Sequence, residues 1–340
     1  MAAGRAMSVR VGVTLMATEP PDRFRELVAL VDDAGFDELW VCDSSLHARD
    51  VYAYLALVAT TSRRLAFGPN CTHPYTRHPA ITVNAIATLH ELSGGRARLA
   101  LGAGDRPVTE LGHRAAPVAT VRETIAVARA LTAGGDVTRE GPIRLARARL
   151  TLRLPSPLPI YVAASGARML ELGGEVADGV LFFSGVHPPC VEWALARIAT
   201  GARRAGRDPA SLDVACTVAG SLREDAQAAR RECVPMAAWF PQTAPVPAEL
   251  AGVPADVAAR IRAAYAGGHF DGAHGAFAHV TDEMVDRFTV AGGAELWRRR
   301  FKDLVALGLR HLNVFVLSRD ARGMLEALAR DVLPAVRGLA

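Results

Sequence analysis

Aromatic side chains are scarce: Phe, Trp and Tyr make up 6% of 340 residues, against 50% apolar residues overall. A large core is available, and it must be packed mainly from Ala, Leu and Val. Cysteine is also rare. Cys42, Cys71, Cys190, Cys216 and Cys233 are odd in number, far apart and never spaced C-x-x-C, which argues against a disulfide framework and a zinc site and for reduced, cytosolic thiols. Charge of one sign is lacking too. Lys and Arg total 39 against 35 Asp and Glu, a net +4 with Arg strongly favoured over Lys and no long run of either sign. That balance argues against a nucleic-acid partner and suits a small anionic ligand. Residues 1–10 lack the apolar stretch of about 7 to 15 residues of a signal peptide, and no window approaches a membrane span of ~20 apolar residues. Met7 reads as an alternative start. H-E-x-x-H, P-loop and G-x-S-x-G elements are absent, which removes the commonest zinc-protease, nucleotide and hydrolase signatures.

What is present is alternation. Short runs apolar on both faces are each followed by a helical pattern: 9–15 then 22–34, 38–42 then 51–62, 65–67 then 79–92, 97–101 then 118–131, 160–163 then 168–175, 179–183 then 191–205, 212–218 then 225–238, and 311–317 then 321–336. Eight such pairs predict a (β/α)8 TIM barrel with a buried parallel sheet, with a doubly wound open sheet as the competing fold. The expectation is one domain over 1–340: a first half-barrel (8–133), an Arg- and Thr-rich excursion compatible with a hairpin (134–159), strands five to seven (160–239), a lid or subunit-contact insertion (240–294), and the last strand and helices (295–340). The insertion opens with Pro241, Pro245, Pro247 and Pro254, and carries a short helix over 255–265 and a Gly/His/Phe-rich segment. Its histidines 269, 274 and 279 recur every five residues, which neither helix nor strand brings to one face, so they read as loop residues and not as metal ligands.

Polar chemistry gathers after the carboxyl ends of the strands, where parallel α/β folds build their sites. The segment from Phe67 to Asp105 holds much of it. Gly68-Pro69-Asn70-Cys71-Thr72-His73-Pro74-Tyr75-Thr76-Arg77-His78-Pro79 contains three prolines that stiffen it, making a preorganised ligand wall a better reading than a plain connector. Gly102-Ala103-Gly104-Asp105 would let a flat ligand approach the backbone, with Asp105 at the rim; Pro107 stands where a dinucleotide fingerprint needs its third glycine. Ala163-Ala164-Ser165-Gly166 precedes a helix and reads either as a phosphate cradle, with Arg168 as a clamp, or as Ser165 capping its helix. Ser184-Gly185 lies in the same register after the next strand. Asp43-Ser44-Ser45 ends the second strand and reads as a rim acid or as a helix cap.

These residues, together with Gly12-Val13, Ala34-Gly35-Phe36, Asp50-Val51-Tyr52, Ala85-Ile86-Ala87-Thr88-Leu89, Gly174-Glu175-x-x-Asp178-Gly179, Gly252-x-Pro254-Ala255-Asp256 and Gly268-x-Phe270-x-Gly272-Ala273, resemble the luciferase-like flavin and deazaflavin oxidoreductases. Within them the chain is most similar to the coenzyme F420-dependent methylenetetrahydromethanopterin reductases. The resemblance implies F420 at the carboxyl ends of the barrel strands and a non-prolyl cis peptide at Asn70-Cys71, within a cofactor-binding set of Asp43, Ser44, Asn70, Cys71, Thr72, Gly102, Ala103, Gly104, Ala163, Ala164, Ser165, Gly166, Ser184 and Gly185. Asp43 would lie near a pterin-like ring, and hydride would leave ring carbon C5 for an electrophilic carbon held face to face. Departures sit on the substrate side. Thr14 replaces the reductases' glutamate near the end of the first strand, Ser44 their histidine, Asn70 a glycine and His73 an asparagine.

The expected activity is therefore F420H2-dependent reduction of a C=C or C=N bond in a small metabolite or modified peptide other than methylenetetrahydromethanopterin. Asp105, His73 and Thr14 are the candidate proton donors or substrate anchors. An FMN-dependent monooxygenase on the same barrel and a cofactor-free binding protein are the alternatives. A homodimer or larger homo-oligomer is expected from the family and the apolar helices.

Overall fold

The computed structural model describes residues 8–265 and 273–339. Its strands are β1 (Arg10–Leu15), β2 (Glu38–Val41), β3 (Ala66–Pro69), β4 (Leu99–Leu101), β5 (Val137–Arg139), β6 (Leu145–Ala148), β7 (Ile160–Ala164), β8 (Gly179–Phe182), β9 (Asp213–Leu222), β10 (Val290–Gly292) and β11 (His311–Val316). Eight of them run parallel in the order β3-β2-β1-β11-β9-β8-β7-β4. The ring closes where the Phe67 amide donates to the Arg96 carbonyl at 3.2 Å and the Arg98 amide to the Phe67 carbonyl at 2.8 Å. This is the (β/α)8 barrel, and the open sheet is excluded. The excursion holds the antiparallel β5-β6 hairpin.

Both faces of the barrel strands are buried, for different reasons. Outward residues such as Val11, Val13, Leu39, Phe67, Val162, Val180 and Val314 pack under the helices. Inward, Trp40, Ala100, Tyr161, Leu181 and Ala215 fill the middle of the barrel, with the Trp40 and Tyr161 rings edge-on at 5.5 Å. Side-chain layers of this kind make a TIM barrel a packed core and leave its chemistry to the loops. Gly68 is required here, since a Cβ on it would lie 2.3 Å from the Arg98 carbonyl and 3.0 Å from the Trp40 ring.

Helix boundaries follow local capping chemistry. Asp50 caps the helix Val51–Thr61 through the amides of Tyr52 and Ala53, and His78 caps Pro79–Leu92 through the Ala80 amide, with Pro79 in the first turn where its missing N-H costs nothing. Four expectations need correction. The helix expected over 225–238 runs Ala226–Thr243, straight through Pro235 and Pro241. An interior proline costs about 3 kcal/mol, but this helix buries Cys233, Met236 and Phe240, and large apolar side chains return roughly 1.5–3 kcal/mol each. The strand expected over 212–218 extends to Leu222 because β10, unforeseen in the insertion, pairs with Gly220–Leu222. The last helix divides into Ala321–Ala327, a π-type turn Leu328–Val332 and Leu333–Arg337. The insertion also holds helices Pro245–Leu250, Ala255–Tyr265, His274–Phe277 and Asp282–Phe288, and Ala294–Ala306 follows it. His274 thus heads a short helix and is not a loop residue, His279 lies in a turn, and His269 falls outside the described residues.

Candidate active site at the carboxyl ends of the strands

The loop after β3 is held from both sides. Its Asn70-Cys71 bond is cis, where the resemblance places one. Thr72 then rejoins the barrel, donating its amide to the Ala100 carbonyl at 3.1 Å and accepting from the Gly102 amide at 2.9 Å. The buried Asp43 carboxylate accepts from Thr72 Oγ1 at 2.8 Å and from the Arg77 guanidinium at 3.0 Å, while Ser45 Oγ reaches its other oxygen at 3.4 Å. Arg77 also binds Asp50 at 2.5 Å and lies 4.8 Å over the Tyr52 ring. Asp43 is therefore the tie that orients the loops after β2 and β3. It does not cap the next helix, which Asp50 does. The Ser44 carbonyl anchors the adjoining turn by accepting from the amides of His47 and Ala48.

The two glycines after β4 have packing reasons for their identity. A Cβ on Gly102 would sit 2.3 Å from Cys71 Sγ, and one on Gly104, whose φ is +81°, would sit 2.2 Å from Val108 Cγ2 and 3.3 Å from His73 Cγ. They make room for neighbouring side chains, a reason that close approach of a ligand did not anticipate. Ala103 lies between them, its carbonyl accepting from the Ala116 amide at 2.7 Å. Burial pushes the Cys71 thiol up to about 12, so it stays protonated and unreactive.

Of the three candidate proton-handling groups, the structure separates one from the other two. Thr14 is fully buried. Its Oγ1 accepts from Asn70 Nδ2 at 3.0 Å and Asn313 Nδ2 at 2.9 Å, and Asn313 continues to Thr217 Oγ1 at 3.5 Å. This closed amide and hydroxyl cluster holds no acid. His73 is buried as well, with Nδ1 3.4 Å from Thr76 Oγ1 and Nε2 unpartnered. Burial pushes its imidazole below the ordinary value, Arg77 acts in the same sense, and Asp43 and Asp105 oppose them. Its neutral form is therefore favoured, with a ring nitrogen free to accept a proton. Asp105 is exposed at the rim, where Oδ2 accepts from Trp239 Nε1 at 3.4 Å.

The next two loops meet side by side, joined by the Phe183 amide donating to the Ala164 carbonyl at 2.9 Å. The helix Ala167–Val176 starts from Gly166 with no side-chain cap, so Ser165 does not cap it, and the space a Cβ on Gly166 would occupy is open. Its first amides can serve an anion. Ser184 in the adjoining loop is buried with an unpartnered hydroxyl. Gly185 adopts φ +84° and packs on the insertion, where a Cβ would lie 2.9 Å from the Arg287 carbonyl. An orphan hydroxyl beside an uncapped helix start fits a phosphate-bearing cofactor tail, with Ala163 and Ala164 at the strand end leading to it. Beside the rim, the end of the Ala226–Thr243 helix carries an aromatic cluster. Trp239 stacks on Phe183 at 5.3 Å, and Phe240 on Phe288 at 4.2 Å.

The opposite end of the barrel carries an ionic cluster that the sequence reading missed. Glu38 meets Arg98 at 2.7 Å and His311 Nε2 at 3.1 Å and accepts from Trp40 Nε1 at 2.9 Å. Asp213 meets His311 Nδ1 at 3.0 Å, accepts from the Tyr161 hydroxyl at 2.5 Å and pairs with Arg10. Burial opposes charging of both Glu38 and His311, but His311 and Arg98 hold Glu38 at about 2 and the carboxylates of Glu38 and Asp213 raise His311 to about 9. Two carboxylates and an imidazole this close resemble a metal-ligand set, but each carboxylate is already matched by an arginine.

Comparison with known proteins identifies the family and the fold. Residues 1–311 match the family described as luciferase-like monooxygenase. The chain is 34% identical over 305 residues to 5,10-methylenetetrahydromethanopterin reductase of Methanolobus tindarius, covering 88% of this chain and 92% of that one. It is 29% identical to an F420-dependent glucose-6-phosphate dehydrogenase of Beutenbergia cavernae, covering 92% and 94%. The coenzyme F420-dependent tetrahydromethanopterin reductase of Methanopyrus kandleri superposes with a TM-score of 0.84 at 28% identity, over 96% of this chain and 99% of that one.

Proposed function

The chain belongs to the luciferase-like family and is an F420- or flavin-dependent oxidoreductase; on that premise we propose that it uses F420H2 to reduce a C=C or C=N bond of a small metabolite or modified peptide other than methylenetetrahydromethanopterin. The uncapped helix start at Gly166 beside the unpartnered Ser184 hydroxyl supports a phosphate-bearing cofactor, and similarity to F420-dependent enzymes favours F420 over FMN. The substrate assignment rests on Thr14, whose hydroxyl is enclosed by amides where the reductases it resembles carry a glutamate.

When bound, F420H2 supplies a hydride at ring carbon C5. Ala164, Ser165, Gly166 and Ser184 would hold its phosphate. Asp43 keeps the loop carrying Asn70, Cys71 and Thr72 fixed against β4, and Trp239, stacked on Phe183, flanks Asp105 at the rim. His73 and Asp105 are the candidates to relay from solvent the proton that accompanies the hydride, the neutral His73 ring taking one up before passing it on.

Titrating the protein with F420 and, separately, with FMN while following tryptophan fluorescence tests this reading. Saturable quenching by F420 is expected, and Ser184→Ala should weaken it about tenfold or more, the loss of one hydrogen bond to a charged group. Binding of FMN alone would replace the reading with a flavin monooxygenase, and binding of neither with a cofactor-free barrel.

A second copy of the chain is the proposed partner. The outer faces of helices Val51–Thr61 and Pro79–Leu92 carry Ala53, Ala56, Leu57, Ile81 and Ala85, with Ile81 60% exposed and no charged side chain before Glu91. Ile81→Arg should convert a sedimenting dimer to monomer; an unchanged sedimentation coefficient would remove this face from the interface.

A further inference from the structure

We propose that the pocket between the helices Asp282–Phe288 and Ala294–Ala306 binds a small doubly charged oxyanion of phosphate size, held by Arg299 and Arg300; this goes beyond the oxidoreductase reading and does not depend on it. The pocket has a volume of about 240 Å³ and is walled by Asp286 and Thr289, by Val290 and Ala291 of β10, and by the two arginines. At about 30 Å³ per water-sized group it holds roughly eight such groups, enough for an oxyanion and too few for a nucleotide-sized cofactor.

Helical geometry divides the run Arg298-Arg299-Arg300. Trp297, Phe301 and Leu304 bury one face of their helix, and Arg298 turns aside to donate to the Asp331 carbonyl at 3.0 Å. Leu296, Arg299 and Arg300, spaced i, i+3 and i+4, share the face that lines the pocket. The opposite wall is the end of the helix Asp282–Phe288, where the Arg287 carbonyl accepts from the amides of Val186 and His187 at 3.0 Å each. The pocket therefore stands behind the loop that carries Ser184.

The chain leaves the positive charge of this pocket unanswered. Its one carboxylate, Asp286, is paired with Arg230 at 2.7 Å, and Thr289 Oγ1 donates to the Val285 carbonyl at 2.8 Å. Arg300 finds a single acceptor, the Asp286 carbonyl 3.3 Å from Nη2, for a guanidinium with five N-H donors. Its Nε is buried with no acceptor at all. Arg299 makes no hydrogen bond or ion pair among the described residues, although Glu295 and Asp303 stand about one turn away on the same helix. Just beyond the wall, burial pushes the His187 imidazole below its ordinary value, and Arg287 and Arg300 act in the same sense against Glu283. A cation is repelled by this field, and a neutral ligand would leave the guanidiniums unpaired. Buried donors without acceptors are costly, and the oxygens of a phosphate or carboxylate match the guanidinium fork in both charge and geometry.

Calorimetric titration with inorganic phosphate at low ionic strength tests the pocket. Saturable binding should appear in the wild type and persist in Ser184→Ala, which impairs the separate cradle at Gly166. Arg299→Gln and Arg300→Gln should each weaken it about tenfold or more, the scale of a lost hydrogen bond to a charged group. Arg25→Gln, at an exposed arginine elsewhere, should leave it unchanged. The proposal is overturned by the absence of saturable binding, by an equal loss in Arg25→Gln, which would show diffuse charge only, or by binding that Ser184→Ala removes and Arg299→Gln spares. If Arg300→Gln fails to fold, by circular dichroism, Arg299→Gln on the exposed face decides alone. Repeating the titration with F420 bound identifies the source of the anion. Undiminished phosphate affinity makes the occupant a free anion, and competition, with F420 affinity falling in Arg299→Gln, makes it the end of the cofactor's own tail; both uphold the pocket. Failure of F420 to bind refutes the cofactor reading and leaves the phosphate result standing.

Discussion

Glu38→Ala lowers the stability of the folded chain by about 3–5 kcal/mol, read as a shift of the urea unfolding transition. Glu38 is 1% exposed, and its carboxylate is the counter-charge of Arg98 and His311 and the acceptor of the Trp40 indole. Removing it leaves Arg10, Arg98 and His311 with only Asp213 to answer them, and the abandoned partners account for the loss. The cluster also sets a pH dependence. The folded-state value of His311 is raised to about 9, so its contribution is complete below the ordinary value of about 6.5 and disappears as pH climbs through 9. Glu38 is held at about 2, so its contribution is complete above about 4.3 and is lost as pH falls towards 2. Stability from this cluster therefore peaks between about pH 4.3 and 6.5 and declines on either side. His311→Gln should flatten the alkaline decline, and an alkaline limb identical to wild type would show that His311 does not carry the charge assigned to it.

The barrel was legible in the sequence because parallel strands covered on both faces must be continuous apolar runs, and 79–92 was read to the residue because Pro79 and the chain reversal at Ser93-Gly94 punctuate it. β10 was not, since Val290-Ala291-Gly292 is too short to carry a period and is a strand only because β9 extends beside it. Proline misled in the insertion, where burial of Met236 and Phe240 outweighs two interrupted helical bonds. The loops after β2, β3 and β4 that carry the candidate residues do meet at one end of the barrel, but the side chains that partner them were not legible. Thr14 and Asn313 are 299 positions apart and meet only because the barrel closes β1 on β11. A signal existed: Asn313, Glu38 and His311 are polar residues in otherwise apolar strands, and a buried polar group must have a partner. Which partner was beyond reach without the strand order.

Gly102→Ala separates two explanations of the same glycine. If Gly102 is small so that a flat ligand can approach the backbone, a methyl group harms binding whatever surrounds it. If it is small because Cys71 occupies its place, the harm passes through Cys71. The would-be Cβ lies 2.3 Å from Cys71 Sγ and 3.6 Å from Cys71 Cβ, with the Ala163 carbonyl at 3.5 Å, so the only severe clash is with the sulfur. Cys71 cannot retreat freely, because the next residue is tied to β4 by main-chain bonds of 3.1 and 2.9 Å and to Asp43 by its hydroxyl. The single variant should therefore lose about 1–3 kcal/mol by overpacking. It should also weaken F420 binding, because the displaced Cys71 lies in the loop expected to carry the cofactor. Gly102→Ala with Cys71→Ala removes the sulfur and leaves an ordinary contact, so the double variant should regain most of the stability and most of the affinity. The two substitutions would then be strongly non-additive, as contacting residues are. A double variant that binds F420 no better than Gly102→Ala would return Gly102 to the ligand and make the fit of Cys71 incidental.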